Sequence, residues 1–221
     1  MRLKNCLPGK GSNGNMLPMD IEARSMEIIE SELQVELEED IKPIVKRVIH
    51  ATADFSFAEN MRFTPGIVEY IHGLLKNGAT IITDTNMALA GINKSALCRL
   101  GSKALCFVSD EDVAKEAKAR GVTRSFVSME KALGIEGPKL LVCGNAPTFL
   151  LSLLEIAENT GIPADTAVIG VPVGFVNVVE AKEKLWESGI PCIAAMGRRG
   201  GSNVAAAIVN ALMYGIEGVR A

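Results

Sequence analysis

The sequence predicts an α/β protein in three α/β/α layers, built on a mainly parallel sheet of five strands with helices before it. Two observations predict the class. From Ala79 onward, short apolar runs alternate with helical patterns, and that alternation gives a parallel sheet covered on both faces. Each run also hands the chain to a loop of glycine, asparagine or proline, most clearly where Leu140-Leu141-Val142-Cys143 passes through Gly144-Asn145-Ala146-Pro147-Thr148 into a helix. Five strands suit a flavodoxin-like order, 2-1-3-4-5, over a Rossmann order needing six, and in such a sheet the corners gather at the carboxyl edge, where ligands bind.

The elements follow in order. Residues 1–16 contain Gly9-Lys10-Gly11-Ser12-Asn13-Gly14-Asn15 and lack periodicity; they read as a flexible arm, with leader residues as the alternative, ahead of one domain over 17–221. Pro18-Met19-Asp20 opens an amphipathic helix through Ile21, Ser25, Ile28, Ile29 and Leu33. A second helix buries Ile41, Ile44, Val45, Val48 and Ile49, with Arg47 and His50 roughly opposite that stripe, and ends around His50 to Asp54. Thr64-Pro65 is expected to open a third, closed by Gly78.

Ala79 to Thr83 is the first expected strand, with Asp84 at a helix start; Ala104 to Val108 is the second, followed by a helix from Ser109-Asp110 to Arg120. Thr123-Arg124-Ser125 and a helix near Ser128 to Leu133 lead to the third strand at Leu140. Thr166 to Ile169 and Cys192 to Met196 complete the sheet, followed by helices Val178 to Ser188 and Ser202 to Tyr214.

At 221 residues, 48% hydrophobic and with a formal charge of -3, the chain can bury a sizeable core. Net negative charge without a basic block argues against nucleic acid. No apolar run approaches the roughly 20 residues needed to span a bilayer, and the N-terminus lacks a signal-peptide core, so a cytoplasmic protein is expected. Cys6, Cys98, Cys106, Cys143 and Cys192 show no CxxC spacing and read as buried thiols rather than metal ligands or disulfides.

Gly197-Arg198-Arg199-Gly200-Gly201-Ser202 leads from a strand into a helix, where free N–H groups and the helix dipole favour an anion. The alternative is a glycine-enabled turn with solvated arginines. The segment is neither GxGxxG nor a Walker loop, which disfavours a nucleotide or flavin binder. Asn145 and Thr148 offer an amide and a hydroxyl to a ligand, or else a plain turn and helix cap. Arg124 is a further cation flanked by hydroxyls. Of the two histidines, His72 sits on the flank of an apolar stripe and reads as a boundary residue, whereas His50 at a helix end is the acid/base candidate. No metal-ligand spacing, carboxylate pair or Ser-His-Asp order is present.

Six stretches together carry a resemblance: Ile21 to Ile29, Arg47-Val48-Ile49-His50-Ala51, Thr123-Arg124-Ser125, Gly144 to Thr148, Gly170-Val171-Pro172-Val173-Gly174-Phe175-Val176 and Gly197 to Ser202. They match, in order, the precorrin-8X or cobalt-precorrin-8 methylmutases of cobalamin biosynthesis. The resemblance implies an isomerase that moves a methyl group between adjacent carbons at ring C of a corrin precursor, giving hydrogenobyrinate or cobyrinate. It implies a homodimer with no added cofactor, the residue matching His50 as proton donor and acceptor, and those matching Ser25 and Arg47 in contact with the corrinoid. Arg124, Arg198, Gly200, Gly201 and Ser202 would then meet its carboxylates, with Asn145 and Thr148 beside them. A carrier that holds the corrinoid product without chemistry is the second reading, and product handover to the next pathway enzyme fits either. Where the family often has Glu-Ser-Lys this chain has Glu180-Ala181-Lys182, which removes one hydroxyl from any substrate contact there.

Overall fold

A computed structural model describes residues 18–219; the expected arm over residues 1–16, with Cys6, lies outside the described residues. The chain enters through α1 (Pro18–Glu32), α2 (Lys42–Thr52) and the short α3 (Phe57–Asn60), then lays down β1 (Met61–Phe63) and α4 (Ile67–Lys76). There follow β2 (Thr80–Thr83), α5 (Asn86–Gly91), α6 (Lys94–Leu100), β3 (Lys103–Leu105), α7 (Glu111–Arg120) and α8 (Arg124–Leu133). The last third holds β4 (Lys139–Cys143), α9 (Pro147–Thr160), β5 (Thr166–Gly170), α10 (Val178–Glu187), β6 (Cys192–Ala195) and α11 (Ser202–Tyr214).

The sheet order is β1-β6-β5-β4-β2-β3, with every pair parallel except β1 on β6. The five parallel strands thus take the expected order 2-1-3-4-5, and the correction is a sixth strand at the edge. Met61 pairs with Ala195 and Phe63 with Ile193. Three residues with an exposed arginine in the middle carry no period-two signal; β6 supplies the pairing from outside. The same edge corrects the third helix start. Thr64 does not cap it: its hydroxyl donates to the Cys192 carbonyl (3.2 Å) and accepts from the Cys192 N–H (3.0 Å), and the helix begins after Gly66.

The pleat divides the strand side chains between two cores. Ile81, Leu140, Val142, Ala167, Ile169, Ile193 and Ala195 face the core shared with α2, α4 and α11. Ile82, Leu141, Cys143, Val168 and Cys192 face α9 and α10. Each of these residues is fully buried, and such a side chain contributes about 1.5–3 kcal/mol when it is a Val, Leu or Ile. α11 is apolar nearly all round, from Val204 to Met213, because α2, α4 and α5 surround it over the sheet. Its N-terminus is thereby fixed at the carboxyl edge. Cys143 and Cys192 are buried, Cys106 half-buried and Cys98 exposed; burial pushes the Cys192 thiol up to about 12. No helix among the described residues is long and apolar enough to cross a membrane.

Candidate active site at the carboxyl edge

The corner between β6 and α11 is held by backbone contacts that only glycine permits. A Cβ on Gly200 would lie 2.1 Å from the Val171 carbonyl oxygen. The Gly201 N–H donates to that oxygen at 2.9 Å, and the Gly174 N–H donates to the Arg198 carbonyl at 3.1 Å. From beneath, Lys182 of α10 donates through Nζ to the carbonyls of Gly197 (2.8 Å) and Arg199 (2.7 Å). Ser202, the first residue of α11, shares a 2.9 Å hydrogen bond with the Thr85 hydroxyl. Arg198, Gly200, Gly201 and Ser202 are therefore together, as the sequence led us to expect.

The neighbouring corner, between β4 and α9, touches the first: a Cβ on Gly144 would come within 2.8 Å of Ser202 Cα. Its donors are already taken. Asp84, buried at the end of β2, accepts from the N–H groups of Gly144 (3.0 Å), Asn145 (2.7 Å) and Ala146 (2.7 Å). Asp84 is thus not a helix start; Thr85 caps α5 by accepting from the Ala88 N–H. The Asn145 side chain is exposed and Thr148 half-buried, and neither caps α9, whose cap position is Ala146.

His50 is exposed in the last turn of α2. The chain leaves that helix through Ala53, left-handed at φ 53°, so that Asp54 and Ser56 meet Arg199: the guanidinium lies 3.3 Å from the Asp54 carboxylate and also donates to the Ser56 hydroxyl. The Ser56 hydroxyl above all, with its N–H and Arg199, holds the Asp54 carboxyl below its usual range. His50 thus lies four residues before Asp54, whose contact with Arg199 ties the end of α2 to the β6–α11 corner. Arg199 is occupied in that contact. Arg198 is exposed and lies over the Phe175 ring, 5.3 Å from its centroid. Phe175 is 81% exposed, Val176 76% and Met87 74%, so the rim of the edge is apolar with a cation set into it.

Three expected residues are not brought to these corners. Arg47 pairs with Glu22 at 2.7 Å and lies 5.4 Å from the centroid of Tyr214, the last residue of α11, about 18 Å along that helix from Ser202. It lines a cavity of about 290 Å³ with Asn93 and Arg99. The Ser25 hydroxyl donates to the Ile21 carbonyl of its own helix. Arg124 is exposed in the first turn of α8, capped by Thr123. His72 is half-buried beside Gly215, its ordinary value lowered chiefly by burial, as suits a boundary residue. Among the described residues no group of three His, Cys, Asp or Glu is disposed to hold a metal ion.

Sequence reasoning missed Asp84 as an acceptor and gave Lys182 no role of its own. A signal for Lys182 existed: it shares the stripe Val178, Ala181, Lys182, Leu185 at i, i+3, i+4, i+7, where a lysine is out of place, and all four are buried.

A family model described as precorrin-8X methylmutase matches residues 20–215. The cobalt-precorrin-8 methylmutase of Salmonella typhimurium is 45% identical over 205 residues, covering 89% of this chain and 95% of its own. The precorrin-8X methylmutase of Pseudomonas aeruginosa is 39% identical over 176 residues, covering 78% and 83%. Among solved structures, precorrin-8X methyl mutase from Thermus thermophilus superposes with a TM-score of 0.81 at 36% identity, covering 89% of this chain and 95% of that one.

Proposed function

The chain belongs to the precorrin-8X methylmutase family and is an isomerase of cobalamin biosynthesis, and from that premise we propose how its carboxyl edge works. The substrate is a corrinoid, a broad apolar macrocycle fringed with carboxylates, in which a methyl group moves between adjacent carbons at ring C to give hydrogenobyrinate or, with cobalt present, cobyrinate. Met87, Phe175 and Val176 offer the macrocycle an exposed apolar rim. Arg198 and the N–H groups of Gly200 and Ser202 at the start of α11 meet carboxylates, the Gly201 N–H being held by the Val171 carbonyl, with Asn145 and Thr148 on the adjoining corner. Protonating a conjugated macrocycle lowers the barrier to rearranging its double bonds, and His50 is the acid that supplies and recovers the proton. The carrying observation is the junction of an anion-seeking helix start, an apolar rim and the His50 helix end at one edge of the sheet.

Ser25 and Arg47 stand apart from their own chain's corner. We assign them to substrate across a homodimer, in which the exposed Ile21 (53%) and Ile28 (42%) of α1 are covered by a second copy. We assign the enzyme to the cytoplasm. The test is to add purified protein to precorrin-8X and to its cobalt form and follow the visible spectrum: conversion of either supports the reading, whereas tight binding of product with no conversion of either would make the protein a carrier.

A further inference from the structure

We propose that Lys182 is the positioning residue of a carboxylate nest at the β6–α11 corner, its buried ammonium drawing the Gly197 and Arg199 carbonyls inward so that the Arg198 and Gly200 N–H groups face outward toward one substrate carboxylate. The inference rests on the corrinoid reading above and adds how the site is built.

The geometry begins with the peptide plane. In a trans peptide the C=O and the following N–H point in opposite directions. Fixing the carbonyls of Gly197 and Arg199 on one nitrogen, at 2.8 and 2.7 Å, therefore aims the N–H groups of residues 198 and 200 the other way. The bonds that fix the rest of the corner use the Gly201 N–H and the Arg198 carbonyl. Among the described residues neither the Arg198 nor the Gly200 N–H donates to a protein acceptor. Successive outward N–H groups of this kind form an anion-binding concavity.

The charge points the same way. Lys182 is completely buried, and among the described residues its polar partners are two carbonyls rather than a carboxylate. A buried charge without a counter-ion is costly, and burial draws this ammonium down to about 8, leaving it largely charged at neutral pH. The adjacent Cys143 thiol supplies no negative charge, because burial pushes it well above its ordinary value. A substrate carboxylate seated on the outward N–H groups is the missing counter-charge. Lys182 acts on it through the backbone, without touching it.

The experiment measures affinity for the corrinoid product as the free acid and as its methyl ester, by visible absorbance, in the native protein, Lys182→Met and Lys182→Arg. The native protein should prefer the acid. Lys182→Met, shown folded by circular dichroism and thermal unfolding, should bind the acid about tenfold less tightly and the ester unchanged, with KM raised and kcat little altered; Lys182→Arg should recover part of the preference. The native protein gives a second reading that does not depend on a variant folding. Between pH 7 and 9 its affinity for the acid, but not the ester, should fall about tenfold as the ammonium loses its proton. The groups that face the lysine from the elements packed around it are Arg198 and Arg199 on the corner, the Cys143 thiol on β4 with Asp84 beyond it at the end of β2, and Asp54 past the end of α2; burial keeps the Cys143 thiol well above its ordinary value, and Ser56 and Arg199 keep the Asp54 carboxyl below its own. A folded Lys182→Met with the native acid preference, or a pH profile flat for the acid, overturns the inference while conversion of precorrin-8X by the native protein leaves the corrinoid reading standing. Native protein that binds neither acid nor ester overturns both.

Discussion

Two glycine corners lie side by side at the carboxyl edge, and they are wired in opposite senses. At the β4–α9 corner a carboxylate, Asp84, accepts three backbone N–H groups and closes the site from within. At the β6–α11 corner an ammonium, Lys182, takes two backbone carbonyls and leaves N–H groups facing out. Both corners carry the same local pattern of strand, glycine and helix, and each taken alone suggests an anion site. The residue that decides between them comes from another element, the end of β2 in one case and the middle of α10 in the other. A corner's chemistry is thus set by the charge behind it as much as by its own sequence.

The largest effect expected from this contrast lies on the open corner's side. His50 stands four residues before Asp54, whose contact with Arg199 ties the end of α2 to the β6–α11 corner. His50→Ala touches no buried side chain, so the fold and product affinity should persist while turnover falls by about 10²- to 10⁴-fold. Turnover is read from the spectral conversion of precorrin-8X. A variant within a few-fold of the native rate would put the acid elsewhere and detach the chemistry from this corner.

The next effect concerns stability and belongs to the filled corner. Asp84→Ala leaves the three N–H groups of residues 144–146 without their acceptor, one of them buried, and a buried donor left unmet costs about 1–3 kcal/mol, with the two less buried donors adding to it. Lys182→Met loses two hydrogen bonds but also removes a buried charge, and these oppose each other, so its cost should be distinctly smaller. Denaturant unfolding of both variants measures the difference. Equal losses would mean that both corners are braced for structure alone, and the contrast would collapse.

What was legible in the sequence divides along the same line. The order of the five parallel strands, α11 from Ser202 to Tyr214 and the cluster of Arg198, Gly200, Gly201 and Ser202 were read from local patterns, because apolar runs and glycine turns are local signals. β1 was not, since three residues become a strand only when β6 offers its edge. Asp84 was read as a helix start because Asp favours that position, yet its partners lie 60 to 62 residues away. The helical wheel puts Arg47 roughly opposite the core stripe, but its pairing with Glu22 and its place beside Tyr214 depend on how α1 and α11 pack around α2.

The smallest expected effect sharpens how Lys182 works. Position 181, where the family resemblance implies serine, is fully buried beside Lys182 in α10, so a hydroxyl placed there does not reach the edge. In Ala181→Ser the new hydroxyl can bond back to the Asn177 carbonyl, which already accepts the residue 181 N–H at 3.0 Å. The substitution should therefore lower stability by less than about 1 kcal/mol, through helix propensity and tighter packing. KM should not move. A several-fold fall in KM on Ala181→Ser would mean that substrate penetrates to the buried face of α10; Lys182 would then meet the carboxylate directly, and the open corner would owe its anion site to a side chain in place of an aimed backbone.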